Sequence, residues 1–274
     1  MSLSSFVELP DVKERLRRDI QKPWFQERHE IEAPPLSTSY GLTGSAFDYL
    51  LRFYVEKLNR SAKKGPWVAE KSLAILAMQS QRSSAFRRAR GIVETGKALH
   101  DEYLKNRSIE KPAAKMIRVA IRLAELDLVY RIGLLDFQHI DDDVVEDLRS
   151  LLSLVRPDDF RAKKVCVLNP TFGMASGLVG GADADLFIDG TMIEVKTSKH
   201  LKMKRDIFNQ LLGYYCLSCI GGVDRYRGKV RAIGIYYARY GLLYRLNIKS
   251  LVDSRRWSKL LAWFERRART ESKH

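Results

Sequence analysis

The stretch from Gly181 to Tyr215, GADADLFIDGTMIEVKTSKHLKMKRDIFNQLLGYY, limits the possible folds more than any other part of the chain. Asp189-Gly190 is a favoured two-residue turn between antiparallel strands, and apolar or β-branched residues flank it on both sides. Placing the turn there fixes a register. Ile188 opposes Thr191, Phe187 opposes Met192, Leu186 opposes Ile193, Asp185 opposes Glu194, and further out Asp183 opposes Lys196. Side chains alternate along a strand, so Asp183, Asp185, Glu194 and Lys196 share one face while Leu186, Ile193 and Val195 take the other. The expectation is a hairpin with one apolar face and one charged face.

Two carboxylates directly opposite one another have Cβ atoms about 5 Å apart and repel. A divalent cation between Asp185 and Glu194 would remove that cost. Carboxylate oxygens suit hard cations such as Mg²⁺, which keeps several waters and accepts one or two carboxylates together with phosphate oxygens. Lys196 then points at the same water and phosphate. Each element also has a plain structural reading. Glu-x-Lys on a strand is common as a solvated ion pair, and Asp183 facing Lys196 is a possible cross-strand salt bridge.

Asp185, eight residues, then Glu194-Val195-Lys196 resembles the PD-(D/E)xK nuclease signature, with Ala184 standing where that signature has proline and Gly181 where a glycine is often found. Downstream, Gln210 and Tyr214 lie four apart on one face of an expected helix and resemble the Gln-x-x-x-Tyr motif of the RecB-like branch. Upstream, Gly44-Ser45-Ala46-Phe47-Asp48 resembles that branch's Gly-x-x-x-His, with Asp in the place of His. A plain reading stands beside these too, since Gln210 with Tyr214 fits an ordinary helix face and Asp48 has Arg52 four residues on. The motifs nevertheless occur together and in the family's order.

The resemblance implies an α/β restriction-endonuclease-like domain, a mixed sheet flanked by helices, that hydrolyses phosphodiester bonds with Mg²⁺ or Mn²⁺. Asp185 and Glu194 would hold the metal with the Val195 backbone carbonyl, and Asp48 would be a third ligand. Lys196 would orient the attacking water or stabilise the transition state, and Gln210 and Tyr214 would position substrate or Lys196. Some members carry an iron–sulfur cluster, which takes four thiolates. This chain has only Cys166, Cys216 and Cys219, so no cluster is expected, and the sparse set fits a reducing compartment.

The chain has 274 residues, 48 of them Lys or Arg against 33 Asp or Glu, a formal net charge of +15. That balance suggests a polyanionic partner, DNA by the resemblance, with RNA equally compatible with the charge. Lys199, Lys202, Lys204 and Arg205 lie between the Glu-x-Lys strand and the Gln/Tyr helix and are the expected phosphate contacts. No run of about 18 apolar residues is present, and the N-terminus lacks the apolar core of a signal peptide, so a soluble cytoplasmic protein without membrane contact is expected.

In chain order, residues 1–37 read as a basic helix around Val12–Ile20 followed by an irregular segment, and residues 38–274 as the nuclease-like domain. Within that domain, Thr43–Asn59 carries apolar residues at helical spacing, one face of which packs on the core with Asp48 at its edge. Gly65-Pro66 then breaks the chain ahead of a helical insertion at about 65–155, whose Arg82, Arg87, Arg88 and Arg90 are open to either DNA contact or solvation. A short strand at Lys164–Leu168 precedes the catalytic hairpin, and strands at Val230–Tyr237 and Leu242–Ile248 extend the sheet. A final helix begins at Ser254. The rival to a nuclease is a nucleic-acid-binding or scaffolding module on a catalytically inactive nuclease fold, or else a ribonuclease.

Overall fold

The computed structural model describes residues 2–272 except 134–136, 138, 225 and 227, and at Ser254 and Arg255 the backbone alone. In chain order the elements are α1 (Leu3–Phe6), α2 (Pro10–Asp19), α3 (Tyr40–Leu58), α4 (Val68–Ser80), α5 (Ser84–Lys105), α6 (Ala114–Ile132), α7 (Asp142–Ser153) and α8 (Pro157–Phe160). They continue with β1 (Cys166–Leu168), α9 (Met174–Gly177), β2 (Leu186–Ile188), β3 (Thr191–Lys196), α10 (Arg205–Gly221), β4 (Ala232–Tyr237), β5 (Leu242–Asn247), α11 (Ile248–Leu251) and α12 (Ser254–Glu271). The fold is α/β. The strands form one sheet in the order β1-β2-β3-β4-β5, antiparallel except for the parallel pair β3 and β4, which α10 connects as a crossover.

The hairpin has the expected register, Leu186 opposite Ile193, Phe187 opposite Met192 and Ile188 opposite Thr191. Asp189 and Gly190 both take positive φ, +47° and +91°, as a two-residue turn of this kind requires. The Asp189 carboxylate also accepts hydrogen bonds from the backbone N–H groups of Lys163, Lys164 and Val165, at 2.6, 2.8 and 2.9 Å, and so ties the turn to the approach of β1.

Two expectations about this hairpin are corrected. Asp183 does not oppose Lys196. It forms an isolated antiparallel bridge with Thr171, while Ala184 N–H donates to the Pro170 carbonyl and Asn169 N–H to the Asp185 carbonyl. The chain therefore leaves β3 before residue 185 and runs along the loop after β1. Nor is the face bearing Asp185 and Glu194 simply charged, because Phe187 and Met192 on it are fully buried. Helices cover both faces of the sheet, and apolar residues fill both.

The core accordingly lies in two layers. On one side, Leu186, Ile188, Ile193 and Tyr236 belong to one continuous apolar core with residues of α3 to α7. On the other, Phe187, Met192, Ile233 and Ile235 pack against α10, α12, and Leu3, Phe6, Val12 and Leu16 of the first two helices. The segment from Leu3 to Ile20 thus contributes to the sheet's own core, with Leu3 N–H donating to the Gly181 carbonyl beside the hairpin.

Helix α3 departs from the one-faced packing its spacing suggests. From Ala46 to Leu58 it is buried on nearly every side, including Arg52, Glu56 and Lys57, because α5, α6 and α7 close over its back. Each buried charge has distant partners. Glu56 meets Lys64 at 2.5 Å and His100 at 3.3 Å, and Lys57 donates to the carbonyls of Tyr103 and Asn106. No helix among the described residues is long and apolar enough to cross a membrane.

Candidate active site

Position 194 lies one step beyond the last paired position of the hairpin, so Glu194 on β3 faces Asp185 at the foot of β2. Strand geometry alone sets this, since the antiparallel register carries past Leu186–Ile193 by a single residue. Glu194 is buried, 5 % exposed, and Asp185 is half-buried. One Asp185 oxygen accepts from the Val195 N–H at 2.6 Å. Burial pushes the Asp185 carboxyl well above the usual range, the facing Glu194 charge and Asp48 push it further, and the Val195 N–H and Lys196 oppose them. The two carboxylates thus disfavour each other's charge, and the Val195 N–H and Lys196 relieve part of that conflict.

Lys196 lies two residues along the same strand, and its ammonium sits 2.7 Å from Glu194 Oε1. It also reaches Gln210 Oε1 at 3.4 Å, and Gln210 Nε2 donates to the Tyr214 hydroxyl at 2.9 Å. Gln210 and Tyr214 are one turn apart on α10, which the β3-to-β4 crossover lays across this face of the sheet. Burial would lower the Lys196 pKa, but the charges of Glu194 and Asp185 outweigh it, so the pKa is raised and the ammonium stays protonated. Tyr214 is buried, its ring stacked on Phe172 with centroids 5.7 Å apart. Burial and then the Glu194, Asp185 and Asp183 charges hold its phenol well above the usual value, so it remains neutral.

Helix α3 brings Asp48 to the same region. Gly44 lets the start of that helix approach closely, since a Cβ there would stand 3.2 Å from Thr197 Oγ1, just past Lys196. Asp48 is engaged by Arg52 at 2.5 Å, and Arg52 also donates to Asn169 Oδ1 and lies over the Tyr49 ring at 4.7 Å. Burial raises the Asp48 pKa, the Arg52 pair opposes this, and the Asp183 charge adds to it. The structure therefore draws Asp48, Asp185, Glu194, Lys196, Gln210 and Tyr214 together from α3, the foot of β2, β3 and α10. Ala184, in the place of a signature proline, is buried and uses its N–H on Pro170, a bond that proline could not make.

Two oxygens at the site are buried without any hydrogen-bond partner, Oε2 of Glu194 and Oδ1 of Asp48. Buried acceptors left unpaired cost about 1–3 kcal/mol each, more when charged, so both lack a donor or a cation. Among the described residues, no three His, Cys, Asp or Glu side chains converge as a closed metal cage. Asp48 leans toward Arg52, Asp185 toward the Val195 N–H and Glu194 toward Lys196. The donor set is thus open and all oxygen, and it fits a hard cation that brings its own waters.

Of the expected phosphate contacts, Lys199, Lys202 and Lys204 are exposed on the loop between β3 and α10. Arg205 differs. It is half-buried, with Nε donating to Asn209 at 2.9 Å and Nη1 to the Ile20 carbonyl at 3.2 Å, and it anchors the end of α2. In the helical region, Arg90 pairs with Glu94 and Arg88 lies over the Phe137 ring. Cys166 and Cys216 are buried and Cys219 is exposed, all three as free thiols.

Apart from Asp183, the residues around the site described next carry no sequence signal. Asp183 lines a cleft of about 500 Å³ together with Lys71, Tyr130 and Arg131 of the helical region. Arg239, in the turn between β4 and β5, is 1 % exposed and donates to the carbonyls of Thr197 and Ala33 and to both oxygens of Asp147. It ties the loop after Lys196 to α7 and to the N-terminal segment. Comparison of the chain with known protein families, with curated proteins and with solved structures finds no match.

Proposed function

We propose that this protein is a metal-dependent nuclease that hydrolyses phosphodiester bonds, with DNA as substrate. The observation that carries the reading is the convergence of Asp185, Glu194, Lys196, Gln210 and Tyr214, with a buried Glu194 oxygen that lacks any partner. The resemblance to the RecB-like branch of PD-(D/E)xK nucleases supports it, as does the net charge of +15.

In this reading Asp185, Glu194 and the Val195 carbonyl hold Mg²⁺ or Mn²⁺, with Asp48 as a further ligand. The ion supplies Lewis acidity and lowers the pKa of water at the site. Glu194 can offer its unpartnered Oε2 while Oε1 keeps Lys196 in place. Lys196, held protonated, lies where negative charge builds on the phosphoryl oxygens and stabilises it. Gln210 fixes the ammonium's direction, because its Nε2 is committed to Tyr214 and its carbonyl therefore turns toward Lys196. Lys71 and Arg131, which line the cleft, provide cations for the phosphates of the strand.

One observation favours the rival, a nucleic-acid-binding module without chemistry: the described carboxylates do not close into a cage of three. A single assay separates the two. The chain is incubated with linear and circular DNA and with matched RNA, in Mg²⁺, Mn²⁺ or EDTA, beside Asp185→Asn and Lys196→Ala. Metal-dependent DNA cleavage abolished by both substitutions is the expected result. Salt-sensitive binding with no cleavage under any condition would install the rival, and cleavage of RNA alone would move the substrate.

A further inference from the structure

Between α2 and α3 the chain runs without helix or strand, yet it is firmly pinned. Phe25 packs edge-on against Tyr244, centroids 4.9 Å apart, and against Tyr237 at 5.5 Å. Further on, Glu32 and Ala33 donate to the Arg239 carbonyl, and Arg239 donates back to Ala33. Immediately before Phe25, Trp24 points outward and is 81 % exposed. A tryptophan left in water on a pinned backbone forgoes the largest burial available to any side chain.

Trp24 lines a groove of about 670 Å³ together with the loop Leu201–Lys204. Four cations, Lys22, Arg28, Lys202 and Lys204, line it, and among the described residues none of them makes an ion pair. The single acid there, Glu27, is engaged by His29 at 3.0 Å. A second groove of about 560 Å³, which includes Arg17 and Arg205, shares Lys22 and continues the basic surface along α2. Only four residues separate Lys196 from Leu201, a path of at most about 18 Å even if fully extended.

We infer that this groove binds single-stranded nucleic acid, with a base stacked on Trp24 and the backbone phosphates on Lys22, Arg28, Lys202 and Lys204. An exposed aromatic face ringed by unpaired cations matches an unpaired strand, whose bases are free to stack and whose phosphates follow one another along a groove. A duplex keeps its bases stacked inside and has nothing to offer Trp24. That the groove delivers a strand to the acidic site rests on the nuclease reading. The binding itself uses none of Asp185, Glu194 or Lys196 and stands apart from it.

The test is fluorescence anisotropy of labelled dT16 and U16 with the full chain in EDTA, across a range of KCl, with a hairpin duplex and phosphatidylserine vesicles in parallel arms. Trp24→Ala is expected to weaken binding of the single strand about 5- to 150-fold, the span of one lost base–aromatic stack, with Trp24→Phe restoring much of it. Reversing Lys202 and Lys204 to Glu should flatten the slope of log K against log salt by about 1.4, from two phosphate contacts. Single-strand binding unchanged by Trp24→Ala overturns the inference, as does a loss of duplex or vesicle binding in that variant with dT16 and U16 unaffected. A protein that cuts DNA while Trp24→Ala changes nothing refutes the groove and spares the nuclease. Trp24-dependent strand binding without cleavage does the reverse.

Discussion

Arg239 offers the sharpest test of how this fold supports its site. The guanidinium is 1 % exposed and Asp147 is fully buried, and they meet through two parallel bonds of 2.7 and 3.0 Å. Two further N–H groups donate to carbonyls, Thr197 at 2.7 Å and Ala33 at 2.9 Å. Arg239→Met keeps most of the apolar volume and removes every donor. A buried carboxylate that loses its only cation costs about 3–5 kcal/mol. Two stranded carbonyls add about 1–3 kcal/mol each where water cannot reach them. A loss of at least about 5 kcal/mol follows, a large part of the 5–15 kcal/mol that holds a typical domain together. The double variant Arg239→Met with Asp147→Leu also removes the orphaned charge and should recover about 3 kcal/mol of it. Urea unfolding followed by circular dichroism, with the m-value checked for constancy, reads both numbers. If Arg239→Met falls within 1 kcal/mol of the parent, or if the double variant is no more stable than the single, the pair is not the clamp the geometry describes.

Further outcomes follow from the same structure. Burial raises the Asp127 carboxyl to about 7 from an ordinary 3.8, so the folded state holds a proton there that the unfolded chain gives up. Its stabilising effect is full at acid pH and is lost as pH rises from about 4 through 7. Asp127→Asn, free of that loss, should gain about 3–5 kcal/mol on the parent between pH 4.5 and 8 in paired urea titrations, and a pH-independent difference would contradict this. Mg²⁺ at 100 times its dissociation constant should stabilise the parent by about 2.7 kcal/mol in thermal melts, while Asp185→Asn combined with Glu194→Gln removes the effect. Without metal, Asp185→Asn alone should melt above the parent, because burial and the facing Glu194 already penalise that charge. Gly190→Ala places a Cβ 2.9 Å from Arg231 Nε at φ +91° and should cost about 1–2 kcal/mol, again by urea unfolding.

What the sequence made legible is what local geometry decides. The hairpin register follows from one Asp-Gly turn and a two-residue period, and α10 carries Gln210 and Tyr214 on one face because both are a turn apart. Asp183 misled because its place is set by Pro170 and Thr171, some dozen residues earlier, and no local period reports that pairing. The buried Phe187 and Met192 misled because a strand covered on both faces loses the apolar–polar alternation that marks an exposed one. In α3 the charged Arg52, Glu56 and Lys57 imitate a solvated face, yet Asn169, His100, Tyr103 and Asn106 meet them from far along the chain. Arg239 and the cleft wall at Lys71, Tyr130 and Arg131 belong to the same class, single residues whose role exists only in the assembled fold.

The distribution of charge suggests how a polyanion would be handled. The chain carries a large positive excess, yet the carboxylates Asp48, Asp183, Asp185 and Glu194 gather at one end of the central strands. At long range such an excess would attract any polyanion, over a screening length of about 8 Å at physiological salt. At contact the carboxylates repel each phosphate until a cation neutralises them. Binding at the acidic site should therefore be linked to the metal, whereas binding in the Trp24 groove, lined by cations and reached by the loop after Lys196, should not. With Trp24→Ala removing the groove's share, the residual affinity for a single strand should rise with Ca²⁺, which occupies oxygen sites of this kind, and fall in EDTA. In the Asp185→Asn, Glu194→Gln variant the metal dependence should vanish while Trp24-dependent binding persists. If the residual affinity ignores the metal, the carboxylate cluster does not gate the strand and the two sites are not arranged in series.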